Sequence, residues 1–160
     1  AEGGVDAIWI ETMTDLEEAR AAVSGALQAV DLPIFCSLSF GAKGRTMMGV
    51  SAEQAAKELW PLGLTAIGAN CGEGVEIINE ILRQMRKVLP GVPLIAKPNA
   101  GLPKLVDDQV IYDLGPSDFA THVPDWIASG ARIVGACCGS TPAHIAATAK
   151  IIRDSFVRRS

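Results

Sequence analysis

Short apolar runs alternate with amphipathic stretches along the whole chain. Ala7-Ile-Trp-Ile is the first run and closes on Glu11-Thr12. Leu16, Ala19, Val23, Ala26, Leu27 and Val30 then recur at helical spacing, behind a capping-box pattern of Thr14 with Glu17. A second strand is expected over 33–40. Ser51 with Gln54 repeats the capping pattern ahead of a helix that ends near Trp60-Pro61. The third strand is placed at 65–70, and the next helix carries a stripe of Val75, Ile78, Ile81, Leu82, Met85 and Leu89, stopped by Pro90-Gly91. A fourth strand at 92–98 leads into a long connection over 99–116. Ser117 is the expected cap of a helix holding Phe119, Val123, Trp126 and Ile127, with Gly130 at its C-terminal end. Pro124 removes an interior hydrogen bond there, so a kink or a late start is expected. The fifth strand is placed at 133–136, and Thr141-Pro142 supplies the N-cap and first position of the last helix.

Five βα units with nearly continuous apolar strands imply an α/β fold, a parallel sheet covered by helices. A doubly wound sheet and a (β/α)8 TIM barrel both fit. Polar strand ends favour the barrel: Glu11, Ser39, Asn70-Cys71, Asn99 and Cys137-Cys138 each close a different strand. Only a closed or nearly closed barrel brings five such ends to one mouth. A whole barrel takes about 250 residues, so the 160 residues here correspond to a partial one. The chain opens without an initiator Met and runs at once into a buried-type strand, as a piece of a longer protein would.

Composition narrows the class. With 49% hydrophobic residues the chain has material for one core, a single domain over 1–160. A net charge of -4, with no basic cluster beyond Arg158-Arg159, argues against a nucleic-acid partner. No run reaches the roughly 18 apolar residues of a membrane span. Four cysteines, two of them adjacent, do not read as a disulfide framework, which points to a reducing, cytoplasmic setting.

Cys71, Cys137 and Cys138 follow apolar runs, so their sulfurs are expected on one rim. Three converging thiolates make a Zn²⁺ site with one coordination position to spare. Such a centre is a weak Lewis acid for hydrolysis but suits the binding of another thiol as thiolate, ready for alkylation. Two other readings compete: buried packing cysteines, or a redox pair at Cys137-Cys138. Cys36 lies mid-strand and reads as packing. His144, in the first turn of the last helix, and His122 read as capping, surface or helix-face residues. Gly139-Ser140-Thr141 could hold an anion or simply cap the helix.

Gly68-Ala-Asn-Cys71, Lys97-Pro-Asn-Ala-Gly101 and Gly135-Ala-Cys-Cys-Gly-Ser-Thr-Pro-Ala-His-Ile145 resemble the motifs of the homocysteine S-methyltransferase domain family. Ile10-Glu-Thr resembles the end of that family's strand 4, and Ser39-Phe40 with Lys43-Gly-Arg the end of its strand 5. The Asn99-Ala-Gly and Phe119-Ala segments look most like the homocysteine module of cobalamin-dependent methionine synthases. The resemblance covers essentially the whole chain, as strands 4 to 8 of the barrel. Three earlier strands, the first bearing an Asp-Gly motif, have no counterpart, and Pro124, Ala69 and Ala136 are smaller departures.

The resemblance implies methyl transfer to the thiol of homocysteine, giving methionine. Cys71, Cys137 and Cys138 would be the zinc ligands and the catalytic centre through the metal, with Glu11 binding the substrate amino group. Asn70 and Asn99 would fix the loop backbones or touch the amino acid, and Ser39 would line the same site. The methyl donor stays open between methylcobalamin on another domain or protein, a sulfonium and a betaine. The competing class is a non-catalytic structural fragment, or half of a split barrel completed by a partner chain or by self-association.

Overall fold

The computed structural model describes residues 1–157, which leaves Arg158-Arg159 outside the described residues. Five parallel strands form one sheet: β1 (Ile8–Met13), β2 (Ile34–Leu38), β3 (Ala66–Cys71), β4 (Leu94–Pro98) and β7 (Ala131–Val134), hydrogen-bonded in that order. The order never reverses. A doubly wound sheet has a reversal at its ligand-binding switch point, so that alternative is excluded.

Helices α1 (Leu16–Ala29), α2 (Ala52–Leu59), α3 (Val75–Val88), α4 (Pro116–Thr121), α5 (Val123–Ala128) and α6 (Pro142–Val157) fill the crossovers and follow the last strand. Contacts run from α1 to α2, α2 to α3, α3 to α5 and α5 to α6, so the helices line up along one face. That face holds the main core. Ile34, Cys36 and Leu38 of β2, Ile67 and Ala69 of β3, and Leu94 and Ala96 of β4 are buried against Val23, Leu59, Ile78, Leu82 and Met85 of the helices. Full burial of each large apolar side chain contributes about 1.5–3 kcal/mol.

The other face carries the alternate residues in register: Trp9 beside Phe35, Ser37 beside Gly68, Gly68 beside Ile95, and Asn70 beside Lys97. Trp9 Nε1 donates to Ser37 Oγ across it at 3.0 Å, and the Trp9 and Phe35 rings meet edge to face. Polar groups on this face climb toward the C-terminal ends of the strands.

Local chemistry explains where the elements differ from expectation. The cap of α1 is Asp15, whose carboxylate accepts the Glu18 N–H at 2.9 Å; the Thr14–Glu17 box slips by one residue because Glu17 turns to Arg20 instead. Ser51 caps α2 through the Gln54 N–H, but the Gln54 side chain reaches Glu58 and leaves the box half made. Ser117 is not a cap. The helix begins two residues earlier than that cap implies, at Pro116 behind Gly115. The Pro124 break appears as two short helices meeting at His122, with the proline in the first turn of the second, where its missing N–H costs nothing.

The expected long connection contains a hairpin, β5 (Pro103–Val106) and β6 (Gln109–Tyr112), paired antiparallel and separate from the main sheet. Its two-residue turn, Asp107-Asp108, takes φ of 49° and 59°, the left-handed geometry that a tight hairpin requires.

Candidate metal centre

Cys71 ends β3 with a φ of 55°, a costly conformation for a non-glycine residue that turns its side chain away from the strand's alternation. Gly72 continues the bend at φ 78°. A Cβ there would lie 2.6 Å from the Phe40 carbonyl, so only glycine lets the loop pass. Cys137 and Cys138 follow β7 in the loop before α6. Their backbone is laced to the end of β4: Cys137 N–H donates to the Pro98 carbonyl at 2.7 Å, and Ala100 N–H to the Cys138 carbonyl at 2.9 Å.

These two loops bring the three sulfurs within 4.8 Å of one another, the only such group of three potential metal donors among the described residues. The separations are 2.9 Å for Cys71–Cys137, 3.7 Å for Cys71–Cys138 and 3.8 Å for Cys137–Cys138. Tetrahedral zinc with Zn–S bonds of about 2.3 Å sets its ligand sulfurs about 3.8 Å apart. Two separations match that edge, and the third would open on loading. All four cysteines are free thiols. The donor set therefore fits zinc.

The sulfurs are electrostatically unequal. Burial, then the hydrogen bond and charge of Cys137, push the Cys71 thiol up to about 12. Burial also opposes ionising Cys137, but hydrogen bonds from Cys71, Cys138 and Asn70 outweigh it and hold that thiol below its ordinary value. Sulfurs clustered this closely and held unequally form a site that a divalent cation completes by displacing protons.

Two asparagines brace the cluster. Asn70 is fully buried: its Oδ1 accepts the Thr12 N–H at 2.9 Å and the Ser37 hydroxyl at 2.7 Å. Its Nδ2 donates to Thr12 Oγ1 at 2.7 Å and faces Cys137 Sγ at 3.9 Å. Asn99 accepts the Cys138 N–H at 3.0 Å and donates to the Gly72 carbonyl at 3.2 Å, tying the two cysteine loops together. Ser39, whose N–H donates to the Met13 carbonyl, lines a cavity of about 750 Å³ with Cys71, Asn99, Lys43, Arg45 and Glu73. Glu11 lies on the sheet's open face, paired with Lys97 of β4.

Cys36 is buried mid-strand and pushed up to about 12 by burial alone, an inert packing thiol. His144 is also buried. Its Nδ1 accepts the Thr141 N–H at 3.1 Å and its Nε2 lies 2.9 Å from the Leu114 carbonyl, so the network places the proton on Nε2. It caps α6 and pins the chain after the hairpin. His122 stacks on Trp126.

Two residues at the site escaped sequence reasoning. Thr12 takes φ 63°, anomalous for a β-branched residue, and both its polar groups meet Asn70. Tyr112, at the end of the hairpin, lies over Gly139, where a Cβ would come within 2.1 Å of its ring. Partial burial, then the neighbouring Cys138, push its phenol above the usual value. No local pattern announces either one.

Comparison with known proteins agrees with this geometry. The family model described as homocysteine S-methyltransferase matches residues 1–152. Methionine synthase of Mycobacterium tuberculosis is 36% identical over 159 residues, 96% of this chain and 13% of that protein. Methionine synthase of Mycobacterium leprae is 36% identical over 150 residues, 90% of this chain and 12% of that protein. The chain thus spans about an eighth of these relatives. Among solved structures, the apo form of the homocysteine methyltransferase MmuM from Escherichia coli superposes with a TM-score of 0.76 at 24% identity, covering 94% of this chain and 51% of that one. Its metallated form gives 0.75, covering 92% and 45%. With its cysteine loops, its strand order and the family match all in agreement, this chain belongs to the homocysteine S-methyltransferase family.

Proposed function

We propose that the chain carries the metal half of a (β/α)8 homocysteine-binding barrel and serves methyl transfer to homocysteine, producing methionine. The observation that carries this reading is the convergence of Cys71, Cys137 and Cys138 from two separate loops to within 4.8 Å. Family membership and the methionine synthase relatives support the substrate. The unreversed strand order and the two sheet edges, β1 and β7, support completion by further strands.

Cys71, Cys137 and Cys138 would hold a zinc ion, whose charge removes the proton of a bound thiol at neutral pH while three thiolates keep that sulfur electron-rich. The chain's own residues do the positioning. Asn99 sets the spacing of the two cysteine loops, and Asn70 fixes Thr12, Ser37 and the approach to Cys137. Glu11 receives the substrate ammonium group, and Ser39 faces the cavity beside Cys71. The substrate sulfur attacks the donor's methyl carbon as the carbon–donor bond breaks, and alignment of these atoms supplies much of the rate. The donor is a methylated corrinoid, a sulfonium or a betaine, bound outside the residues described.

Metal content and X-ray absorption test the proposal. The expected result is one zinc per chain in three-sulfur coordination, gaining a fourth sulfur when homocysteine is added. Anaerobically purified protein without zinc, or a metal that ignores homocysteine, refutes it. A persistent three-sulfur site with no response would instead favour a purely structural unit.

A further inference from the structure

Glu11 of β1 and Lys97 of β4 form an ion pair on the open face of the sheet, near the C-terminal ends of their strands. Lys97 sits in register with Asn70, the residue before Cys71, so it lies one strand spacing, about 4.8 Å, from the brace of the cluster. Three features hold its ammonium in place. Glu11 Oε1 accepts from it, the Trp9 ring lies beneath it at 4.7 Å, and Gly135 leaves room for its stem, since a Cβ there would touch Lys97 Cγ at 3.0 Å. The lysine side chain is 20% exposed and the glutamate 37%, so the pair is fixed yet open to the mouth.

The pair has unused capacity on both sides. An ammonium group has three donors and a carboxylate about four acceptor sites. Among the described residues, the hydrogen bond between them engages Oε1, leaving Oε2 and two lysine donors. Such a pair is matched to a ligand with its own adjacent opposite charges. An α-amino acid can dock head to tail, its ammonium on Glu11 Oε2 and its carboxylate on Lys97 Nζ, without leaving either protein charge unpaired.

We propose that Lys97 is the carboxylate receptor of the site and that the Glu11–Lys97 pair selects zwitterionic amino-acid thiols over simple thiols. The inference rests on the thiol-acceptor reading above and extends it to a residue that reading does not use. Its rival is a purely structural ion pair, which would stiffen β1 against β4 and be blind to the ligand's carboxylate.

Three thiols separate the two. L-homocysteine carries both charges, 4-mercaptobutyrate lacks the ammonium, and 3-aminopropanethiol lacks the carboxylate. Binding is read on the full chain loaded with Co²⁺, from changes in its d–d and thiolate-to-metal bands. Lys97→Met is expected to weaken homocysteine and 4-mercaptobutyrate about tenfold, the scale of one lost charge-assisted hydrogen bond, and to leave 3-aminopropanethiol within about twofold. Lys97→Arg, which keeps the charge and its donors, should recover most of the loss. Equal weakening of all three thiols, or no change in any, overturns the inference while the thiol-acceptor reading stands. A wild-type spectrum indifferent to every thiol overturns both.

Discussion

Replacing Asn99 by alanine tests whether the two cysteine loops are held as one unit. The side chain is 7% exposed, accepts the Cys138 N–H at 3.0 Å and donates to the Gly72 carbonyl at 3.2 Å. Alanine removes both bonds and leaves two half-buried backbone groups without partners. At about 1 kcal/mol per net bond, with part of the desolvation cost added, the metal-free protein should lose about 2–3 kcal/mol. The sulfurs should suffer separately. Cys137 N–H and the Cys138 carbonyl remain bound to Pro98 and Ala100, so that loop stays on β4. The lost bond to Gly72 lets the Cys71 loop drift against it. Removing an outer partner of a metal ligand typically weakens affinity about 10–100-fold. Urea unfolding of the metal-free protein gives the first quantity, and zinc competition against a chromophoric chelator gives the second. Zinc affinity unchanged within about twofold, despite a full loss of stability, would refute the idea that Asn99 sets the spacing of the sulfurs.

Four other outcomes follow from the same coordinates. In the metal-free protein, Cys137 should be alkylated by iodoacetamide at lower pH than Cys71, with Cys36 last, as read by peptide mass spectrometry across pH; Cys71 reacting first would contradict the electrostatics. Folded Cys36 and Cys71 keep their protons up to about 12, while unfolded thiols release theirs near the ordinary value of about 8.5, so the metal-free fold should lose stability as pH rises through that window. Cys137 acts with the opposite sign but is one group against two, and a urea midpoint that rises from pH 7.5 to 10 would be inconsistent with these shifts. Arg86 donates to the carbonyls of Leu89, Val92 and Gly130, so Arg86→Met should cost about 3 kcal/mol in chemical denaturation, since charged hydrogen bonds contribute about 1.5–3 each and the exposed ends rehydrate. Gly139→Ala places a Cβ in the Tyr112 ring at a φ of 75° and should raise hydrogen exchange across β5 and β6 while the parallel sheet stays protected.

How much of this was legible beforehand depends on whether a feature is local. The strands and most helices were, because the central parallel strands, buried along most of their length, read as apolar runs and α3 shows its buried stripe at Val75, Ile78, Ile81, Leu82 and Met85. The rim position of Cys71 was legible for the same reason, since it ends β3, whereas Cys137 and Cys138 lie beyond the end of β7 in a loop held by β4. The hairpin was not. Its residues are exposed on both faces, so nothing forces alternation, and its turn uses Asp107-Asp108 without a glycine. The partners of the polar groups were hidden more deeply. Nothing near Glu11 indicates that its cation is Lys97, 86 residues away, and nothing near Asn70 indicates Thr12 and Ser37. Those meetings are set by the register of β1, β2, β3 and β4, which a one-residue slip would abolish by turning each side chain to the opposite face. The chemistry of the ligands is therefore written in single residues, while the bracing that spaces them exists only once four strands are aligned. A variant that preserves all three cysteines but shifts β2 against β3 should lose the metal centre through the Ser37–Asn70 bond, with its ligand set intact.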